Sequence, residues 1–227
     1  MSHSLNEIEA MSKRAARGAG LAWGLAEEAA KGTRWLAGFG YPGPDLLADL
    51  LELNDRLPAI DFSPSSLNGT WRAPAGRMSP LISGAAMSDC AMRMLDGQVI
   101  TIEQVSHPLL IVPFASGAAL RLGVGVAVEW GGVGQSGAGQ SGGGVRLTTD
   151  GKQLCVQGSR DEIMTAHARE VRCSAPAQMT SPNTPITRAH VDDTCWERLG
   201  AFAHRTYAPA TEASRILGAG AGLNDND

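Results

Sequence analysis

The sequence predicts an α+β fold, with N- and C-terminal helices packed around or beside a mainly antiparallel β-sheet. Three observations predict it. Apolar residues recur at helical spacing through residues 4–57. From Gln98 to Cys173 the chain turns to alternating runs of Val, Ile, Leu and Thr, and strands that follow one another without helices between them argue for antiparallel pairing. Helical spacing returns after residue 190.

The elements follow in order. Ser4 and Glu7 fit a capping box ahead of Leu5, Ile8, Met11, Ala15 and Ala16. Gly18 or Gly20 caps this first helix at its C-terminal end. A second helix runs from Trp23 to Ala37, and "GFGYPGP" (38–44) is a turn. A third, "DLLADLLELNDRL", follows Pro44 and stops at Pro58. Residues 58–80 are Pro- and Gly-rich loop, pinned to a core by Trp71. Residues 81–97 fit a short helix begun at Asp89 or a strand and turn. The strands are "QVITIEQV", "HPLLIVPF", "ALRLGVGVAVEW", "VRLTTDGKQLCVQG" and "AREVRC". Asp150-Gly151 marks a hairpin turn, and Pro108 and Pro113 push their segment to a sheet edge. Residues 174–186 are a second connection. Asp192 caps a helix that buries Trp196, Leu199 and Phe202, and Pro209 opens a short last one.

This order gives a helical segment 1–60, a mainly β region 61–180 and a C-terminal segment 181–227 that forms one domain with 1–60. The alternative is a small helical domain cut from a β domain near residue 62. At 227 residues the chain fits one large domain or two small ones. It buries roughly 70–75% of its unfolded surface, so it needs no staples. Apolar residues make up 43% and aromatics 5%, so the core is built from small and aliphatic side chains around a few Trp anchors.

Composition also excludes. The net charge is −4 and Lys and Arg are scattered, which argues against a nucleic-acid partner. No window reaches the ~18 apolar residues of a membrane span. The N-terminus lacks the apolar run of a signal peptide, so a cytoplasmic location with free thiols is expected. Cys90, Cys155, Cys173 and Cys195 match no zinc template and read as buried small hydrophobes. The five histidines form no metal-binding pattern; in one straight helix His190 and His204 would lie roughly 21 Å apart.

The tract "GGVGQSGAGQSGGG" (131–144) holds eight glycines and matches G-x-G-x-x-G twice. A dinucleotide fingerprint needs a strand before it and a helix after it. Here a strand follows and Asp150 is used by a turn, so the tract reads as a flexible loop between strands.

Two stretches hold the candidate site. Glu27 and Glu28 sit in "GLAEEA", about 100° apart on a helix, and so cannot act as a glycosidase-like pair. Glu27 with Lys31 is an i,i+4 pair, the usual mark of a solvated face. The C-terminal block "HRTYAPATEASRILGAGAGLNDND" offers Arg205, Tyr207 and Arg215, then Gly218, Gly220 and Gly222, whose backbone amides can approach an anion. Asp225 and Asp227 could offer oxygen to a hard cation, though no metal is expected. The bland alternative is a capped helix and a tail.

"RAARGAGLAWGLAEEAAKGTRWLAGFG" (14–40) and "HRTYAPATEASRILGAGAGLNDND" (204–227) together resemble the opening and close of a bacterial, largely proteobacterial, family carried as a domain of unknown function. The resemblance spans most of the chain, with the glycine tract as an insertion. It implies a cytoplasmic metabolic or accessory protein and names no reaction or cofactor. The opening is also similar in composition to the helical start of a malate/lactate-type dehydrogenase family. Two readings follow. One is a soluble small-molecule protein, either a binder or an enzyme, with its site where "GLAEEA" meets the C-terminal block. There Glu27, Glu28 and Tyr207 are the catalytic candidates, and Arg205, Arg215, Gly218, Gly220 and Gly222 the ligand-binding ones. The other is a non-catalytic accessory subunit whose Ala- and Gly-rich helix faces meet a partner or form an oligomer.

Overall fold

The computed structural model describes residues 2–131 and 144–207. The short strand β1 (Ser2–Ser4) leads into the helices α1 (Leu5–Gly18), α2 (Trp23–Gly38) and α3 (Gly43–Leu53). A 3-10 turn at Ala59–Phe62 and strand β2 (Thr70–Trp71) follow. Then come α4 (Pro80–Asp89), α5 (Met92–Leu95), β3 (Ile100–Ser106), a 3-10 turn at Pro108–Ile111 and α6 (Val112–Leu122). The chain continues through β4 (Gly125–Trp130), β5 (Val145–Thr149), β6 (Leu154–Gln157), α7 (Arg160–Ile163), β7 (His167–Ala177), β8 (Arg188–His190) and α8 (Asp193–His204). The fold is α+β. Among the described residues no helix is long and apolar enough to cross a membrane.

The caps form where the sequence places them. The Ser4 hydroxyl accepts from the Glu7 amide while the Glu7 carboxylate accepts from the Ser4 amide, which closes the capping box of α1. Asp192 caps α8. At the end of α1 the residue past the last turn is Ala19, and Gly20, at φ +94°, makes the left-handed reversal into α2. The third helix ends at Leu53, earlier than Pro58, in a series of turns.

The six-stranded sheet has the order β2-β3-β7-β4-β5-β6. Every pairing is antiparallel except β2 with β3. β1 and β8 make a separate two-stranded pair. The β5–β6 hairpin turns at Asp150-Gly151 as expected, with the Asp150 carboxylate accepting from the amides of Lys152 and Gln153 at 2.8 Å each. Residues 132–143 of the glycine tract lie outside the described residues. Trp130 and Val145 pair at its two ends, so it joins neighbouring antiparallel strands and is followed by a strand.

The expected strand over residues 107–114 is absent. The stretch from His107 to Leu122 is not strand but a 3-10 turn and the helix α6. β3 and β4 are both antiparallel to β7, which lies between them, and so run parallel to each other. Parallel strands need a crossover, and α6 supplies it. Pro108 and Pro113 sit in the first turns of helices, where a missing amide costs nothing, and not on a sheet edge. Residues 81–97 resolve into α4 and α5.

Inner-face side chains of the sheet, including Trp71, Ile102, Val128, Trp130, Leu147 and Val171, are buried. α4 packs against β3, α6 against β4 and β5, and α2 against both helices. The terminal helices α1, α2, α3 and α8 thus sit beside the sheet, with α4 and α6 between. The outer face is polar: the row Thr101, Arg172, Glu129, Arg146, Gln157 crosses five strands.

His107 is the one buried histidine among the described residues. It is 8% exposed, left-handed at φ +43°, and its Nδ1 has no partner among the described residues. Burial pushes its pKa below the ordinary value, against the opposing pull of Asp49. The unfolded chain therefore binds this proton more readily than the folded one. Stability is full above about pH 6.5 and falls as pH drops through that value toward the lowered folded pKa. Melting temperature is expected to decline over this window and to decline less in His107→Asn, which keeps a residue tolerant of left-handed backbone. Identical pH profiles for the two proteins would show that His107 does not set the slope.

Candidate functional site

The α1–α2 corner gathers most of the functional groups. Lys13, Arg14 and Arg17 share the last turns of α1, at spacings that make Lys13 and Arg14 each a neighbour of Arg17. Trp23, the first residue of α2, is 63% exposed. The Arg17 guanidinium lies 4.6 Å from the centre of its ring and the Lys13 ammonium 5.5 Å. Arg17 also donates to the Leu21 carbonyl, which fixes it across the turn. The residue before α2 is Ala22, whose side chain makes no cap, and the first turn holds no acid.

Glu27 belongs to this corner. Its carboxylate accepts from Lys13 at 2.6 Å, and that bond holds its pKa below the usual range, so it is ionised at neutral pH. Glu28 does not join it: Glu28 pairs with Lys31 at 3.1 Å along α2. Lys31 is thus the partner of Glu28 and not of Glu27, while Arg34 reaches back to Glu9 at 2.7 Å.

Tyr207 is brought to α1. Arg14 donates to its hydroxyl at 3.3 Å, and its ring meets His204 edge-on at 5.5 Å. Arg205 goes elsewhere. It grips Asp55, past the end of α3, through two bonds of 2.6 and 3.1 Å, and the Asp55 carboxyl is held below its usual pKa as a result. Farther along the same seam Arg198 reaches Asp49 at 2.5 Å and Glu52 at 2.7 Å. Arg215, Gly218, Gly220, Gly222, Asp225 and Asp227 lie outside the described residues, as does the last helix expected from Pro209.

Lys13, Arg14, Arg17 and Trp23 were not among the candidates read from the sequence. The Lys13–Arg17 spacing is a visible signal; the exposure of Trp23 is not, because an indole at a helix start reads as a core anchor.

The other reactive side chains are dispersed. His3 stacks on Trp196 at 3.9 Å, His190 lies in β8 and His204 ends α8. All four cysteines are free; Cys155, Cys173 and Cys195 are buried, and burial pushes the Cys173 and Cys195 thiols up to about 12. Among the described residues no three of His, Cys, Asp and Glu are grouped to hold a metal ion.

No curated protein matches the chain. Among solved structures, sulfolactate dehydrogenase from Methanocaldococcus jannaschii aligns at 13% identity and a TM-score of 0.44. The alignment covers 65% of this chain and 47% of that one, about half of that protein's length. Residues 3–79, which contain α1, α2 and α3 and most of the corner, match the model of the family described as protein of unknown function (DUF3726).

Proposed function

We propose that the chain is a cytoplasmic metabolic protein that binds a small anionic molecule at the α1–α2 corner, with the C-terminal block completing the site. The observation that carries this reading is the exposed Trp23 ring with Arg17 and Lys13 set against it. An indole face beside fixed cations suits a planar or apolar body bearing negative charge. Of Lys13, Arg14 and Arg17, Lys13 alone is in an ion pair among the described residues, with Glu27, which leaves two guanidinium charges at the corner of an acidic protein. Arg215 and the glycines 218, 220 and 222 would add charge and close backbone approach. If the protein is an enzyme, Glu27 and not Glu28 is the candidate base, and Tyr207 is the candidate proton donor.

A second reading rests on the same side chains. Exposed Trp, Tyr and Arg are the residue types that dominate protein–protein hot spots. Under it the corner is the docking face of a non-catalytic accessory subunit.

The test combines Trp23→Ala, Arg17→Gln and a deletion of 221–227 with a metabolite-library thermal-shift screen and native mass spectrometry. The expected result is an anionic hit whose affinity falls about tenfold or more in each variant while the unliganded melting temperature holds. Loss of a co-purifying partner instead would establish the accessory reading. Unchanged ligand and partner binding in all three variants would remove both.

A further inference from the structure

The outer face of the sheet contains a cleft of about 320 Å³, at the β5–β6 end and away from the α1–α2 corner. Its floor and one wall follow from strand register. Thr148 pairs with Cys155 and Arg146 with Gln157, so these four side chains stand on one face in two successive rows. The opposite wall is the chain that leaves β7, including Gln178 and Thr180. That wall is pinned: Asn183 and Leu154 exchange backbone hydrogen bonds, and the Cys155 sulfur lies 3.8 Å from that of Met179. Elsewhere the outer face is closed by ion pairs such as Arg72–Glu103. Thr148 and Cys155 are short side chains, 3% and 4% exposed, that form the floor of the cleft.

We infer that this cleft binds a small monocarboxylate. Its lining is rich in donors: a guanidinium, two carboxamides and two hydroxyls, with no carboxylate among the lining residues. Arg146 gives one arm to Glu129, which stands behind it and does not line the cleft. That pair fixes the guanidinium and leaves its remaining donors for a ligand. Thr148, 3% exposed, lines the cleft and brings a hydroxyl to it. A carboxylate oxygen can accept from such a hydroxyl. One guanidinium, already half engaged, matches a single delocalised negative charge better than a doubly charged phosphate. The volume lies at the small end of ligand sites, enough for a compact metabolite.

Three probes test this on the full chain: benzoate, its uncharged isostere benzamide, and inorganic phosphate. Backbone amide signals are followed by NMR. Benzoate should shift the signals of Thr148, Cys155 and Gln157, while benzamide and phosphate should not. Thr148→Val keeps the shape and should weaken benzoate about tenfold, the effect of losing one hydrogen bond to a charged group. Arg146→Gln should weaken it at least as much; its melting temperature is checked because Glu129 loses its partner. Trp23→Ala should leave benzoate binding here unchanged, which separates this site from the corner. Unmoved signals, equal binding of benzamide, tighter binding of phosphate, or wild-type affinity in Thr148→Val would each overturn the assignment.

Discussion

Gly18→Ala is expected to cost about 3 kcal/mol, the upper end for overpacking a tight contact. Gly18 is the last residue of α1, and a β-carbon there would fall inside the carbonyl of Phe202 on α8. Its backbone has no left-handed φ, so the cost is steric and does not come from helix geometry. The obstacle is backbone, which cannot rotate away as a long side chain can. α1 and α8 must then part or slide. That seam joins the first helix of the chain to the last described one, and it carries Arg14 and Tyr207 toward each other. The control is Gly200→Ala on the same α8, where a β-carbon meets nothing within 4 Å among the described residues. It should gain up to about 1 kcal/mol, because alanine loses less backbone entropy in a helix. Urea unfolding of both variants decides it. Equal stability of Gly18→Ala and wild type would mean that the helices are not in such close contact.

The same seam shows what the sequence could and could not reveal. α1 and α8 are legible because their starts are chemically marked, by Ser4 with Glu7 and by Asp192. Their mutual contact is not marked, since a glycine at a helix end reads as a cap whether or not a carbonyl sits above it. α6 is illegible in the sequence for a related reason. It buries Val112, Phe114, Ala115, Ser116, Ala118 and Ala119, so it lacks the broad polar face that distinguishes a surface helix from a buried strand. Only the insertion of β7 between β3 and β4 demands a helix there, and that is a long-range pairing no local pattern contains.

The candidate site divides in the same way. Glu27 and Tyr207 could be proposed from residue type and family resemblance. The Lys13–Glu27 bond and the exposure of Trp23 depend on how α1 crosses α2, which spacing within either helix does not encode. In the sheet cleft, a two-residue Asp150-Gly151 turn would set Thr148 opposite Gln153, whereas the four-residue loop 150–153 sets it opposite Cys155, so the local turn signal does not give this register. The wall that closes it comes from residues after β7, which have no periodicity to read.

Trp71→Ala is expected to be strongly destabilising. The segment 58–79 is almost all turn and loop, and in the sequence Trp71 alone marks it as held to the core. The side chain is 1% exposed and stands on the inner face beside Ile102, in the row that continues through Val171, Trp130 and Val145. Removing it deletes the largest buried group of the loop and leaves a cavity that β2, only two residues long, cannot collapse to fill. The expected cost is about 3–5 kcal/mol. In a protein of this size that lowers the melting temperature by about 6–20 °C. Next in the chain, Arg72 makes two bonds of 2.7 Å to Glu103 on the outer face. That pair is solvent-exposed, and Arg72→Ala should cost at most about 1 kcal/mol. The two neighbours thus discriminate between anchoring by burial and anchoring by charge. If thermal unfolding ranks Arg72→Ala as the worse variant, the loop is held by its outer ion pair and the buried indole is secondary. If Trp71→Ala is the worse by several kcal/mol, one aromatic residue fixes the parallel edge of an otherwise antiparallel sheet.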